Sequence, residues 1–198
     1  GESVDATAQA IAASLKQGER KAVLLGNLAQ HHPRYAELHA LAQQVAELAG
    51  ARFGFLGEAA NSVGAHLAGT LPGEGGMNAA QMLDDPRRAY ILLGVEAELD
   101  TYNPSKTLAA LQAAQLVVAL TAYKSKALDY AHVLLPAAPF TETSGTFVNT
   151  EGRAQSFNAV VKPLGETRPG WKVLRVLGNL MDVAGFDYDS AEQVRVEV

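Results

Sequence analysis

The sequence predicts an α/β fold: a doubly wound, mostly parallel sheet of about five strands with helices on both faces, and a Phe-containing arm or hairpin after the last strand. Three observations carry this. Short apolar runs recur at 22–26, 52–56, 89–95, 116–120 and 132–135. Several of the segments between them place apolar residues three and four apart, as amphipathic helices do. After the fifth run the composition turns to Thr, Ser, Gly and Asn, punctuated by Phe140, Phe147 and Phe157. Large rings set in a polar stretch fix the backbone around them once buried.

Taken in order, residues 3–17 read as a helix with Val4, Ala8, Ile11 and Leu15 on one face and Gly18 placed to end it. Ala22 to Gly26 suit a strand buried on both faces. Pro33 stands where a first helical residue belongs, and Tyr35, Leu38, Leu41 or Ala42, Val45 and Leu48 continue a helix that Gly50 closes. Residues 52–56 are a weaker strand, because Gly54 lowers strand preference. A short helix within 59–68 and one turn at 79–83 flank the glycine-rich LPGEGGMN at 71–78. The run 89–95 is the third strand. Asn103-Pro104 supplies an N-cap and a first-turn proline for a helix over 104–114, with Leu108 and Leu111 facing inward. Residues 116–120 form the fourth strand, a short helical piece spans 125–130, and 132–135 form the fifth strand. Residues 136–165 are the extended arm. Residues 166–198 are the C-terminal helix and tail, with Pro169 opening the helix, Trp171, Leu174, Leu177 and Met181 as its packing face, and an edge strand or loose end last. The whole, 1–198, reads as a single α/β domain.

Composition narrows the function. The formal charge is −5, which disfavours a nucleic-acid or anionic-membrane surface, since those need a basic face. No apolar run reaches the roughly 18 to 20 residues of a membrane helix. There is no cysteine, so thiolate catalysis, disulfides and thiolate-bound zinc or iron–sulfur clusters are excluded within these residues. The start at Gly1, without Met or a basic-then-apolar leader, is read as that of a fragment with no signal peptide.

The common catalytic signatures fail. GNLAQHHP after Leu25 is not a dinucleotide fingerprint, and Gly73, Gly75 and Gly76 have the wrong spacing and context. There is no P-loop and no G-x-S-x-G elbow, so Ser144 reads as a turn residue. Tyr123 and Lys126 are three apart and miss the Tyr-x-x-x-Lys pattern. His31, His32 and His39 lack the converging carboxylates or thiolates of a metal site. His66 and His132 read as structural, and Asp84-Asp85 before Pro86 as a turn. No catalytic and no metal-ligating residue is expected.

The arm holds the remaining chemistry. Phe147 with Thr146 or Val148 forms one short strand and Ala154 to Phe157 the other. Asn149 to Arg153 form the turn, with Gly152 free to take positive φ. Asn149, Glu151, Arg153 and Gln155 come close together there. They form either a cluster for a polar ligand or a hairpin whose Glu151 and Arg153 satisfy each other or nearby backbone, and residue chemistry favours the second.

Ala131 to Ala137, Glu142, Gly145-Thr146-Phe147, Asn149, Glu151-Gly152-Arg153 and Gln155 resemble the molybdopterin oxidoreductase domain, in which a strand ending Leu-Pro runs into a G-T-F-x-N-x-E-G-R-x-Q arm. Ala60 to Gly64, Gly75 to Ala79, and Leu92 to Glu96 with Asn103-Pro104 resemble one branch of it, the G-type subunit of bacterial NADH-quinone oxidoreductase (respiratory complex I), in its carboxyl-terminal portion. That branch implies a non-catalytic structural domain, inactive alone, without molybdopterin. Iron–sulfur clusters are then expected in the N-terminal part of the same polypeptide. The other peripheral-arm subunits and that N-terminal part are the implied partners, on the cytoplasmic side of the bacterial inner membrane. The alternative is the molybdopterin-binding domain of a molybdenum oxidoreductase, in which Asn149, Glu151 and Arg153 are the pterin-arm candidates.

Overall fold

The computed structural model describes residues 4–198; residue 3, where the first helix is expected to start, lies outside them. The fold is α/β, with parallel sheets and helices. All five predicted parallel strands form, but among the described residues they hydrogen-bond as a pair and a triplet rather than as one sheet. The break falls between 56 and 88. There the helical periodicity is lost around the glycine-rich stretch, and the helices that form between these residues have six residues each. The chain divides accordingly into two compact units, residues up to Gly64 with Val148–Ala154, and Ala65–Phe147 with Gln155–Val198.

The first unit is built on β1 (Ala22–Leu25) and β2 (Arg52–Phe55), paired in parallel with Val23 beside Phe53 and Leu25 beside Phe55. They are joined through α2 (Asn27–Gln30) and α3 (Tyr35–Ala49). The helix begins two residues later than Pro33 suggests, because the chain first makes a tight turn. In it His32 Nδ1 accepts the Arg34 N–H at 3.0 Å, and the Tyr35 N–H donates to the His32 carbonyl. The inward stripe of α3 is Tyr35, Leu38, His39, Ala42 and Ala46, so the expected core positions Val45 and Leu48 fall outside it and are exposed. The helix rotates this way because His39 stacks on Phe53, with ring centroids 5.2 Å apart and planes 14° apart, and meets Phe55 edge-on. The opposite face of the pair, with Ala22, Leu24 and Arg52, is mostly open, contrary to the burial on both faces that the run predicts. Helix α1 (Ala6–Gln17) is capped by Asp5, whose Oδ1 accepts the Ala8 N–H, and ends as expected at Gly18, but none of its residues is buried.

The second unit carries the larger core. Strands β3 (Ala89–Leu93), β4 (Leu116–Thr121) and β5 (Val133–Pro136) run parallel in that order, with β4 central. Because alternate residues face opposite ways, Tyr90, Leu92, Val117 and Ala119 point to one side. Leu111 and Ala114 from the end of α7 (Pro104–Ala113), Ala127 and Tyr130 of α8 (Ala127–Tyr130) and Ala97 of α6 (Ala97–Asp100) close over them. Helix α7 starts where Asn103-Pro104 indicates, and Asn103 Oδ1 accepts the Lys106 N–H. Tyr130, buried under α6, takes the Ala97 N–H on its hydroxyl and donates to Glu98, both at 3.4 Å. Burial pushes this phenol above its ordinary pKa, while the Ala97 N–H pulls it back in part.

The other side of this sheet carries Leu93, Leu120 and Leu135 in one row and Ile91, Val118 and Val133 in the next. Helix α9 (Gly170–Leu180) approaches the first row, since a Cβ on Gly170 would stand 3.0 Å from Leu93. The second row is only partly covered, and Ile91 and Val133 stay exposed. Met181, expected on the packing face of α9, is the exposed C-cap residue, and buried Gly178 takes its place. The two connecting helices α4 (Ser62–Leu67) and α5 (Ala79–Asp84) are short, and α5 carries a capping box between Asn78 and Gln81. The tail is not a strand or loose end: it forms α10 (Ala191–Glu197), because Ser190 caps it by accepting the Gln193 N–H. No helix among the described residues is long and apolar enough to cross a membrane.

Candidate functional site

The arm leaves β5 at Ala137 and returns to it at Arg168. The Ala138 N–H donates to the Arg168 carbonyl, and the Arg168 N–H to that of Pro136. Between these points Glu142 does the tying. Its Oε2 accepts the Leu164 N–H at 3.0 Å and the Thr167 hydroxyl at 3.3 Å, while the Thr141 carbonyl accepts the Val160 N–H. The predicted hairpin forms from β6 (Gly145–Val148) and β7 (Ala154–Phe157). Phe147 and Phe157 meet edge-to-face with centroids 5.2 Å apart, and the hydroxyls of Thr146 and Ser156 bond across the stem at 2.9 Å.

The turn is organised by Asn149. Its Oδ1 accepts two backbone donors, the Glu151 N–H at 3.0 Å and the Arg153 N–H at 2.9 Å, as an Asn at a turn does. Gly152 takes φ +81°, the left-handed conformation expected of it. The side chains of Glu151, Arg153 and Gln155 are exposed. Glu151 and Arg153 form no ion pair with each other or with any other described residue; it is their backbone N–H groups that are satisfied, by Asn149. An exposed ion pair contributes little, so nothing draws the two together.

One contact reaches the hairpin from far along the chain. Asn61 Oδ1 accepts the Val148 N–H at 2.7 Å. Gly64 makes this possible: a Cβ there would lie 2.1 Å from Asn61 Oδ1. The Asn-Ser-Val-Gly stretch is thus a latch on the first residue before the turn. Sequence reasoning carried Asn61, Gly64 and Glu142 only as parts of a resemblance. An Asn three residues before a Gly has no local signature that points to a partner 87 positions away.

The other candidates have plain structural partners. His31 pairs with Glu58 at 2.7 Å, His32 closes its own turn, and His39 is a stacked ring. Among the described residues no three His, Asp or Glu side chains converge as a metal site would need. His132 Nδ1 accepts the Val117 N–H at 3.0 Å, which leaves Nε2 to carry the proton. Ser144 Oγ accepts the Ala159 N–H, Asp84 pairs with Lys106 and Asp85 with Arg87, and Tyr123 is exposed.

Three concavities lie near these elements. One of about 620 Å³ opens at the carboxyl ends of β1 and β2, the ligand-binding end of parallel sheets, lined by Leu24, Leu25, Gly26, Asn27, Leu56 and Gly57 among others and by no charged side chain. One of about 540 Å³ lies at the base of the arm, between Glu142 to Ser144 and Arg168 to Lys172. A third, of about 610 Å³, lies along α9. None is lined by Asn149, Glu151 or Arg153.

A family model described as Molybdopterin oxidoreductase matches residues 4–180. The chain is 32% identical over 131 residues to the probable oxidoreductase YjgC of Bacillus subtilis, covering 64% of this chain and 13% of that protein. It is 42% identical over 70 residues to the mitochondrial NADH-ubiquinone oxidoreductase 78 kDa subunit of Candida albicans, covering 35% of this chain and 10% of that subunit. It is 34% identical over 106 residues to a putative formate dehydrogenase of Staphylococcus aureus, covering 54% of this chain and 10% of that protein. The chain thus spans about a tenth of the length of the curated relatives it matches.

Proposed function

We propose a function from one premise: the chain belongs to the molybdopterin oxidoreductase family, whose model spans residues 4–180. It is a non-catalytic structural domain of the G-type subunit of an NADH-quinone oxidoreductase. It supports the peripheral arm that passes electrons from NADH to quinone. Its partners are the N-terminal part of the same polypeptide, which holds the iron–sulfur clusters, and the neighbouring peripheral-arm subunits. Its place is the cytoplasmic side of a bacterial inner membrane.

The observation that carries the reading is the state of the hairpin turn. A pterin carrying several polar edges needs a concave site with convergent donors that buries most of its surface. Here the Asn149 side-chain oxygen is committed to its own turn, and Glu151 and Arg153 stand on an exposed tip. That the three side chains do not converge on a concave site supports the reading without a pterin. Two further points favour the respiratory branch. The 42% identity to the 78 kDa subunit exceeds that to the other relatives named above. The Ala60 to Gly64 stretch that resembles this branch has a structural task, latching the hairpin through Asn61.

A second reading, the molybdopterin-binding domain of a molybdenum oxidoreductase, is favoured by coverage: YjgC and the formate dehydrogenase align over 64% and 54% of the chain. Elemental analysis of the full-length native protein separates the two. The proposal expects iron and only trace molybdenum; one molybdenum per chain overturns it.

A further inference from the structure

The concavity along α9 has a lining of two chemistries. Leu135, at the end of β5, and Val176 and Leu180 of the helix make an apolar wall. Leu180 is 78% exposed and Val176 49% exposed, so this wall is open rather than buried under the chain's own residues. Beside it stands Arg175, one turn from Trp171 on the same helix.

Arg175 is the anomaly. Its side chain is only 34% exposed, its Nε is buried without a hydrogen-bond partner, and its nearest carboxylate is Asp189, at 3.9 Å and itself almost fully solvated. Among the described residues its guanidinium makes no hydrogen bond at all. A partly desolvated guanidinium keeps a planar fork of donors that matches a carboxylate, and polar groups taken out of water normally find partners. Neighbouring cations differ from it: Arg168 donates to the Gly165 and Thr167 carbonyls, and Lys172 lies 5.4 Å from the Trp171 ring centroid. Arg175 therefore brings guanidinium donors that make no hydrogen bond to a space of about 610 Å³ that Asp189 also lines, within the usual size of a small-molecule site.

We infer that this groove binds a small organic anion, with its carboxylate on the Arg175 guanidinium and its apolar body along Val176 and Leu180. Lys172 adds positive potential at the rim, and Trp171 lies against the ligand. The inference holds whichever branch of the family the chain comes from, because none of these residues belongs to the hairpin.

Trp171 is the single tryptophan of the chain, so it reports on its own groove. The probe is 1-anilinonaphthalene-8-sulfonate, an aromatic anion, titrated while energy transfer from Trp171 is followed. Octanoate and its neutral analogue octanamide then compete with it. The inference expects energy transfer to the probe, displacement by octanoate, and displacement by octanamide at least ten times weaker. Arg175→Met, which keeps the apolar stem, lowers octanoate affinity at least tenfold and leaves octanamide unchanged. Leu180→Glu, at an exposed position that does not disturb the core, replaces wall with like charge: it lowers octanoate affinity at least tenfold and weakens octanamide by a smaller factor, because both alkyl bodies lie on that wall. Absence of energy transfer overturns the inference, as does equal competition by the acid and the amide. Unchanged octanoate affinity in Leu180→Glu also overturns it, even if Arg175→Met fails to fold.

Discussion

Gly64→Ala tests whether Asn61 holds the hairpin as the geometry says. A methyl group there would sit 2.1 Å from the Asn61 side-chain oxygen, so the amide must rotate away and release the Val148 N–H. A half-buried donor left without its acceptor costs about 1–3 kcal/mol. Alanine in place of glycine inside α4 returns about 0.5–1 kcal/mol of helix preference. The net expectation is a local destabilisation of about 1 kcal/mol, read as roughly fivefold faster hydrogen exchange at the Val148 amide. Asn61→Ala alone costs the same hydrogen bond and gives about 1–3 kcal/mol. The decisive measurement is the double variant. With Asn61 already gone, Gly64→Ala meets no oxygen and shows only its helix preference, so its effect changes sign to a stabilisation of about 0.5–1 kcal/mol. If the two single effects simply add at Val148, the latch is not what fixes the glycine, and the reasoning is refuted.

Three further outcomes follow from the same bonds. Asn149→Ala removes the acceptor of two turn N–H groups and lowers stability by about 0.5–1.5 kcal/mol, whereas Glu151→Gln and Arg153→Gln stay within about 0.5 kcal/mol; chemical denaturation ranks the three, and equal effects would count against the turn architecture. Glu142→Ala frees the Leu164 N–H and the Thr167 hydroxyl, so limited proteolysis is expected to cut within 158–168, while Glu142→Gln keeps an acceptor and resists. Because burial holds the folded Tyr130 pKa above its unfolded value, its contribution is fully present below about pH 10 and is lost as pH rises through the folded pKa. Tyr130→Phe also leaves the Ala97 N–H without its acceptor and lowers stability at neutral pH, so the readout is the slope: by chemical denaturation followed by circular dichroism, stability should fall less steeply above about pH 10 in the variant, and an unchanged slope would contradict the burial argument.

Local signals proved readable where one residue type has one physical job. Asn103-Pro104 placed the start of α7 because an N-cap oxygen and a first-turn proline both serve unpaired backbone groups at a helix start. The five parallel strands were readable as apolar runs. Their division into two sheets was not, because strand pairing depends on how a connection lays one strand beside another, and residues 56–88 carry no long periodic segment that specifies it. The orientation of α3 was misread because periodicity cannot choose between overlapping apolar stripes. Ring stacking among Tyr35, His39 and Phe53 made that choice. The tail was misread for a simpler reason: Ser190 and Gln193 form a capping pattern visible in the sequence, but the following VRVEV looks strand-like by alternation.

The hairpin shows where such reading has to stop. Its strands, its turn and the positive φ of Gly152 follow from the sequence within a few residues. The roles of its polar residues do not, because a polar side chain at a turn has two fates that look alike in sequence. Asn149 turns inward to backbone donors and becomes architecture, while Glu151 and Arg153, two and four residues on, point to water. A cluster with all three side chains converging would have been a candidate cradle; a cluster with its amide folded under the turn presents only two solvated charges. Arg175 is the reverse case. In sequence it is one cation in an amphipathic helix, and it gains meaning only because its Nε is buried without an acceptor while the rest of its side chain stays partly exposed. The two sites together argue that burial and unmet hydrogen bonds, more than residue type, decide which polar groups of this chain are available to a ligand.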